Sequence, residues 1–137
     1  YTSDTGLFVT LAYKSKKFTD NIIYNKLLSD KLDTNLGYIY ENVVAQMLRT
    51  SGKDLYYHTI PKHDGKGYYE IDFLQADGSK ISPIEVKSSG YKSHASLDQF
   101  SEKYSSRTGH KYLVYTKDLK KDGNVLCLPI YMVPLLP

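Results

Sequence analysis

Two short apolar runs with period-two alternation, separated by an Asp-Gly turn, constrain this chain more than any other feature. The first reads Tyr69-Glu70-Ile71-Asp72-Phe73-Leu74, and the second Lys80-Ile81-Ser82-Pro83-Ile84-Glu85-Val86-Lys87-Ser88. Between them lies Gln75-Ala76-Asp77-Gly78-Ser79. Successive side chains on a strand point to opposite faces, so Ile71 and Phe73 are expected on one face and Asp72 on the other. In the second run Ile84 and Val86 share a face, and Glu85 and Lys87 share the opposite one. Asp-Gly is a favoured pair in hairpin turns, which predicts an antiparallel pair that brings Asp72 close to Glu85.

Two carboxylates held together on a sheet repel each other unless a cation lies between them. Mg²⁺, for which Mn²⁺ can substitute, is usually held by one or two carboxylates together with waters and substrate phosphate oxygens. Lys87, two residues from Glu85, is then placed to orient the attacking water or to neutralise charge on a phosphate. Acid-x-Lys triplets arise readily by chance, and three occur here: Asp64-Gly65-Lys66, Glu85-Val86-Lys87 and Asp118-Leu119-Lys120. Of these, Glu85-Val86-Lys87 sits among β-branched apolar residues behind a strand with its own acid; the other two are expected in loops. The competing reading is an amphipathic hairpin whose charges simply face solvent.

A third acid comes from a helix predicted over Thr34–Arg49. Leu36, Tyr40, Val43, Val44 and Met47 recur at helical spacing, Asp33 or Thr34 is placed to cap the start, and Gly52 follows the end. At 100° per residue Glu41 falls beside Gly37, Val44 and Leu48, on the border of the apolar face. It either reaches the rim of the sheet or remains a snorkelling surface residue.

A helix with Glu41, a strand with Asp72 and a strand with Glu85-x-Lys87, in that order, resembles the PD-(D/E)xK nuclease superfamily. More closely, Asp4-Thr5-Gly6-Leu7, Gly37-Tyr38-Ile39-Tyr40-Glu41-Asn42-Val43-Val44-Ala45, Glu70-Ile71-Asp72-Phe73, Ile84-Glu85-Val86-Lys87-Ser88 and Ser96-Leu97-Asp98-Gln99-Phe100 are similar to an uncharacterised domain at the C-terminus of many prokaryotic AAA-type ATPases. The resemblance implies an α/β fold with a restriction-endonuclease-like core, a central mixed sheet flanked by helices, and a short helical N-terminal segment. It also implies a Mg²⁺ site at Asp72 and Glu85 with Glu41 assisting, Lys87 completing the catalytic set, and DNA as the substrate of an endodeoxyribonuclease. Ile71 stands where the superfamily's name has proline. The alternative is a catalytically inactive nucleic-acid or protein-binding module that regulates its ATPase. On either reading residues 1–33 form a helical segment packing toward an upstream ATPase module and residues 34–137 form the nuclease-like domain. The opening at Tyr1 rather than Met fits a fragment of a longer protein.

At 137 residues and 41% hydrophobic, the chain supports one domain with a core. Its apolar runs are too short to span a membrane, and no signal peptide opens it. A single cysteine, Cys127, rules out an internal disulfide and fits a cytoplasmic protein, with Cys127 buried in a strand. The formal net charge of +3 mildly favours an anionic partner. Lysines far outnumber the arginines Arg49 and Arg107, which predicts DNA contacts mainly to the backbone. The 14 tyrosines are either amphipathic strand and helix residues or, for some, stacking surfaces for unpaired bases. Scattered histidines, including His58 and His63, make no zinc pattern. Ser51-Gly52-Lys53 lacks the flanking residues of a phosphate-binding loop.

The remaining pattern predicts helices from Gly6 to Tyr13 and from Asp20 to Leu28, a strand from Leu55 to Ile60, and a helix from Ser93 to Ser106. On that last helix, Gln99 and Tyr104 resemble the Gln and Tyr that some RecB-like nucleases place near the scissile phosphate. Tyr112–Tyr115 and Val125–Leu128 read as closing strands around Asp122-Gly123. The tail, broken by Pro129, Pro134 and Pro137, reads as a core-covering strand or as a segment that docks on the sheet or a partner.

Overall fold

The computed structural model describes residues 1–13 and 36–137. Helix α1 (Thr5–Tyr13) is followed, beyond the undescribed segment, by α2 (Leu36–Thr50), β1 (Tyr56–Pro61), β2 (Tyr68–Asp77), β3 (Lys80–Val86), α3 (Ala95–Lys103), β4 (Lys111–Tyr115), β5 (Lys120–Asp122), β6 (Val125–Pro129) and a 3-10 turn (Ile130–Leu135). The predicted helix from Asp20 to Leu28, and the capping roles of Asp33 and Thr34, lie outside the described residues.

The six strands form one sheet in the order β1-β2-β3-β4-β6-β5. β1, β2 and β3 are an antiparallel meander, β3, β4 and β6 run parallel, and β5 turns back against β6. Parallel neighbours need a crossover, and α3 supplies the one between β3 and β4. This is the central mixed sheet flanked by helices that the family resemblance implies. Two local expectations change. Tyr112–Tyr115 and Val125–Leu128 do not meet across Asp122-Gly123; they pair in parallel, and that turn joins β5 to β6. Asp118-Leu119-Lys120 accordingly runs into a short edge strand rather than a loop.

Apolar side chains on the two faces of the sheet make two cores. Val44, Ala45 and Leu48 of α2 pack with Phe73, Ile84, Val86, Tyr112, Val114 and Leu128. Leu97 and Phe100 of α3 pack with Ile60, Ile71, Leu113, Tyr115, Val125 and Cys127. Each large apolar side chain so buried contributes about 1.5–3 kcal/mol. The C-terminal tail completes the first core as a 3-10 turn, with Val133 buried and Ile130, Met132 and Leu136 packed partly against the cluster. It is therefore not the strand expected: β6 ends at Pro129, and Pro134, inside the turn, lacks the N–H group a ladder needs.

Local signals fix the ends of these elements. Asp4 caps α1, its carboxylate accepting the Leu7 N–H at 2.6 Å. Gly52, at φ +78°, closes α2, its N–H donating to the Arg49 carbonyl and the Lys53 N–H to that of Leu48. Gly78, at φ +61°, makes the tight β2–β3 turn. β2 therefore runs on to Asp77, three residues beyond the expected end.

One correction bears on the site. Ile71 and Phe73 do not share a face: Ile71 belongs to the α3 core and Phe73 to the α2 core. Between Tyr56 and His58 of β1, which pair with Leu74 and Ile71, the register shifts. β2 thus carries one residue more than β1 there, a β-bulge at Asp72-Phe73 that interrupts the alternation.

Candidate functional site

The bulge places Asp72 just outside the β2–β3 ladder. Residues Tyr68 to Ile71 and Leu74 pair with β1, and Phe73 to Asp77 pair with β3. The β2–β3 ladder stops at Phe73↔Ile84, so Asp72 and Glu85 are the next residues in register, beyond the last ladder pair. In the gap the Asp72 carboxylate takes over the ladder's role and accepts the Val86 N–H at 2.6 Å. Burial pushes its pKa up to about 7; the Val86 hydrogen bond opposes this, the charges of Glu41 and Glu85 add to it, and Lys87 opposes it.

Glu85 and Lys87 emerge on the face opposite Ile84 and Val86, as the alternation predicts. Leu113 of β4 flanks Glu85, and the Lys87 N–H donates to the Val114 carbonyl at 2.8 Å, so β4 holds the triplet firmly. Lys87 Nζ lies 2.7 Å from Glu85 Oε1, with the lysine side chain 40% and the glutamate side chain 6% exposed. Glu85 Oε2 is buried without a hydrogen-bond partner among the described residues. An unsatisfied buried polar atom costs about 1–3 kcal/mol, and more when charged. A cation at the mouth of the β2–β3 gap would satisfy this oxygen and offset the burial and the repulsion that together raise Asp72. The donor set, two carboxylates with oxygen ligands, fits a hard divalent ion.

Glu41 lies on α2 one turn before Val44 and Ala45 and is half-buried. Its pKa is raised, first by burial and then by the charge of Glu70, with Lys87 acting in the opposite sense. The structure thus brings Glu41, Asp72, Glu85 and Lys87 into one electrostatic neighbourhood. Among the described residues, however, no three His, Cys, Asp or Glu side chains gather into a metal-binding group. The two strand carboxylates are the part of the set that the sheet itself sets side by side.

Two neighbours escaped the sequence reading. Glu70 is exposed on β2 and acts electrostatically on Glu41; the Glu70-x-Asp72 spacing was the available signal. Tyr1 packs its ring 5.4 Å from that of Phe73, the residue after Asp72. Burial, then Glu41 and Asp72, push its phenol up to about 12. No motif announces Tyr1. It is placed by side chains of α2: Asn42 Oδ1 accepts the Thr2 N–H at 2.8 Å, and Gln46 Nε2 donates to Thr5 Oγ1 at 2.8 Å.

Other residues singled out by sequence have local partners elsewhere. Gln99 donates to Glu102 at 3.0 Å, and Tyr104 hydrogen-bonds His58 at 3.0 Å under β1. Cys127 is fully buried, with its sulfur 3.1 Å from the Tyr91 hydroxyl. No helix among the described residues is long and apolar enough to cross a membrane.

A family model described as a domain of unknown function (DUF4143) matches residues 36–133. Comparison with curated proteins gives no match, and comparison with solved structures gives none. The matched span runs from α2 into the 3-10 turn and contains Glu41, Asp72, Glu85 and Lys87, while Tyr1 precedes it. Matched over more than half its length, the chain belongs to the DUF4143 family.

Proposed function

We propose that this domain hydrolyses phosphodiester bonds in DNA with the help of Mg²⁺ or Mn²⁺, as a PD-(D/E)xK-type endodeoxyribonuclease attached to an AAA-type ATPase. The observation that carries this reading is the buried Glu85, one oxygen held by Lys87 and the other without a partner among the described residues, beside an Asp72 destabilised as an anion. Asp72 and Glu85 would hold the ion, with Glu41 supporting it through water. When bound, the ion would lower the pKa of a water and neutralise charge on the phosphate. Lys87, whose ammonium is partly exposed, orients the attacking water and stabilises charge developing on the phosphate oxygens. The water oxygen forms a bond to phosphorus and one P–O ester bond breaks. The proton that the water loses is matched by the one the leaving alkoxide takes up. Exposed lysines hold the backbone on either side.

A second reading, a non-catalytic DNA- or protein-binding module that regulates its ATPase, is favoured by the absence of a preassembled three-ligand group among the described residues. Cleavage of plasmid and branched DNA with Mg²⁺ or Mn²⁺, run beside Mn²⁺ calorimetry, separates the two. Wild type should bind Mn²⁺ and cleave, and Glu85→Gln should lose both. Lys87→Ala should keep most metal affinity and lose cleavage by orders of magnitude. DNA binding without cleavage by wild type would establish the second reading. Equal cleavage by all three proteins would mark a contaminant and remove the basis for the first.

A further inference from the structure

Strands β3 and β4 run parallel, with Val86 in register with Val114, so the segments that follow them leave the sheet at the same end. Ligands of open α/β sheets lie outside such carboxyl ends, and Lys87 is the first residue beyond β3. Three residues further on is Gly90. Over it, from the segment after β4, lies Lys117: a Cβ on Gly90 would be 3.5 Å from Lys117 Nζ and 3.6 Å from its Cε. Glycine thus lets the ammonium rest beside bare backbone in the loop that leaves the site. Both segments are braced from beneath. The Tyr91 hydroxyl donates to the Asp122 carboxylate at 2.5 Å and lies 3.1 Å from Cys127 Sγ. That of Tyr115 donates to the Asp118 carbonyl at 2.5 Å, and the two rings pack 5.8 Å apart. Lys117 is exposed, and among the described residues it has no carboxylate partner. An exposed lysine is ordinarily a solvated charge. This one stands at the end of the sheet where Lys87 emerges, on a fixed support, with no acid pairing it.

We infer that Lys117 is a second phosphate anchor, holding a backbone phosphate of the DNA strand beside the one that is cut. The inference rests on the nuclease reading above and gives the strand a course, from Lys87 across Ser88-Ser89-Gly90 to Lys117. Three residues of chain span at most about 10 Å, and successive phosphates of one strand advance about 3.4 Å along the duplex axis. The phosphate at Lys117 is therefore within about three steps of the scissile one. Lysine meets a phosphate oxygen as a point charge and reads no base, so this contact adds affinity and fixes direction without adding sequence preference.

The test is fluorescence anisotropy with a short labelled duplex in EDTA, from about 50 to 200 mM salt, followed by cleavage kinetics in Mg²⁺. Lys117→Gln should lower the slope of log affinity against log salt by about one. Its penalty should accordingly be about three- to fourfold larger at 50 mM than at 200 mM salt. Lys117→Arg should restore the slope. Arg107→Gln removes the same charge at the opposite end of β3, where the Arg107 carbonyl accepts the Ile81 N–H, and should leave the slope as in wild type. In cleavage, Lys117→Gln should raise KM and keep kcat within about twofold, as expected for a contact made equally in the ground and transition states. If Lys117→Gln leaves the slope unchanged, or Arg107→Gln lowers it equally, the anchor is overturned while cleavage by wild type keeps the nuclease reading. The expected change of slope with no cleavage by wild type would keep the phosphate contact and remove the nuclease reading. No binding of the duplex by wild type would overturn both.

Discussion

Replacing Asp72 by asparagine should flatten the dependence of stability on pH in metal-free protein. In the fold the carboxyl titrates near pH 7 against an ordinary value of 3.8, so the folded state binds its proton more tightly than the unfolded state does. The resulting stabilisation is fully present below about pH 4 and is lost as pH rises toward and through 7. About three pH units at 1.36 kcal/mol each amount to roughly 4 kcal/mol over the whole range. Between pH 5 and pH 8 the loss is roughly 2–3 kcal/mol. A domain of this size moves its melting midpoint by about 3–5 °C per kcal/mol, so wild type should melt roughly 10 °C lower at the alkaline end from this group alone. The substituted side chain has no charge to lose, and its amide oxygen can still accept the Val86 N–H. Contributions of all other groups are common to both proteins and cancel in the difference. The assay is thermal unfolding in EDTA from pH 5 to pH 8, wild type beside Asp72→Asn, repeated with Mn²⁺. Mn²⁺ should lift the alkaline end of the wild-type profile and leave the variant unchanged. Parallel profiles in EDTA would show that Asp72 is ionised throughout and that the gap between β2 and β3 exerts no charge strain.

Three further outcomes are expected. Gly109→Ala should cost about 1–3 kcal/mol in urea unfolding, because a Cβ there would lie 2.5 Å from Asp77 Oδ2 and 2.8 Å from Ser82 Oγ; an unchanged midpoint would mean that this node, where Asp77 also accepts from His110 Nδ1, yields freely. Val133→Ala should cost about 2 kcal/mol, since the side chain is 1% exposed in the α2 core, whereas a tail that merely lies on the surface would give almost none. DNA affinity should fall steeply between 50 and 200 mM salt with little dependence on sequence, and a flat salt profile would argue against lysine contacts to the backbone.

Much of this architecture is legible in the chain because the relevant signals are local. Val44 and Leu48, one turn apart, define the buried side of α2, and Glu41 stands one turn earlier at its border. Asp77-Gly78 marks the hairpin, and Ile84 and Val86 against Glu85 and Lys87 describe a strand that does alternate. The bulge is not legible, since Ile71-Asp72-Phe73 alternates perfectly in sequence; only the pairing of β1 shows that one residue is extra. Strand β5 hides for a different reason: Lys120-Lys121-Asp122 has no apolar residue and is a strand because β6 offers it an edge. The placement of Tyr1 depends on hydrogen bonds across some forty residues from Thr2 and Thr5 to Asn42 and Gln46, which no spacing rule anticipates.

The bulge in β2 makes the anchorage of the two carboxylates unequal. Glu85 is fixed by its backbone, in register with Leu113 of β4, whereas Asp72, at the extra residue of the bulge, is tied to β3 through its own side chain on the Val86 N–H. A ligand that draws on the Asp72 carboxylate therefore competes with the same oxygen atoms that tie β2 to β3 at this point, so occupancy of the site and the closure of the sheet beside it are coupled.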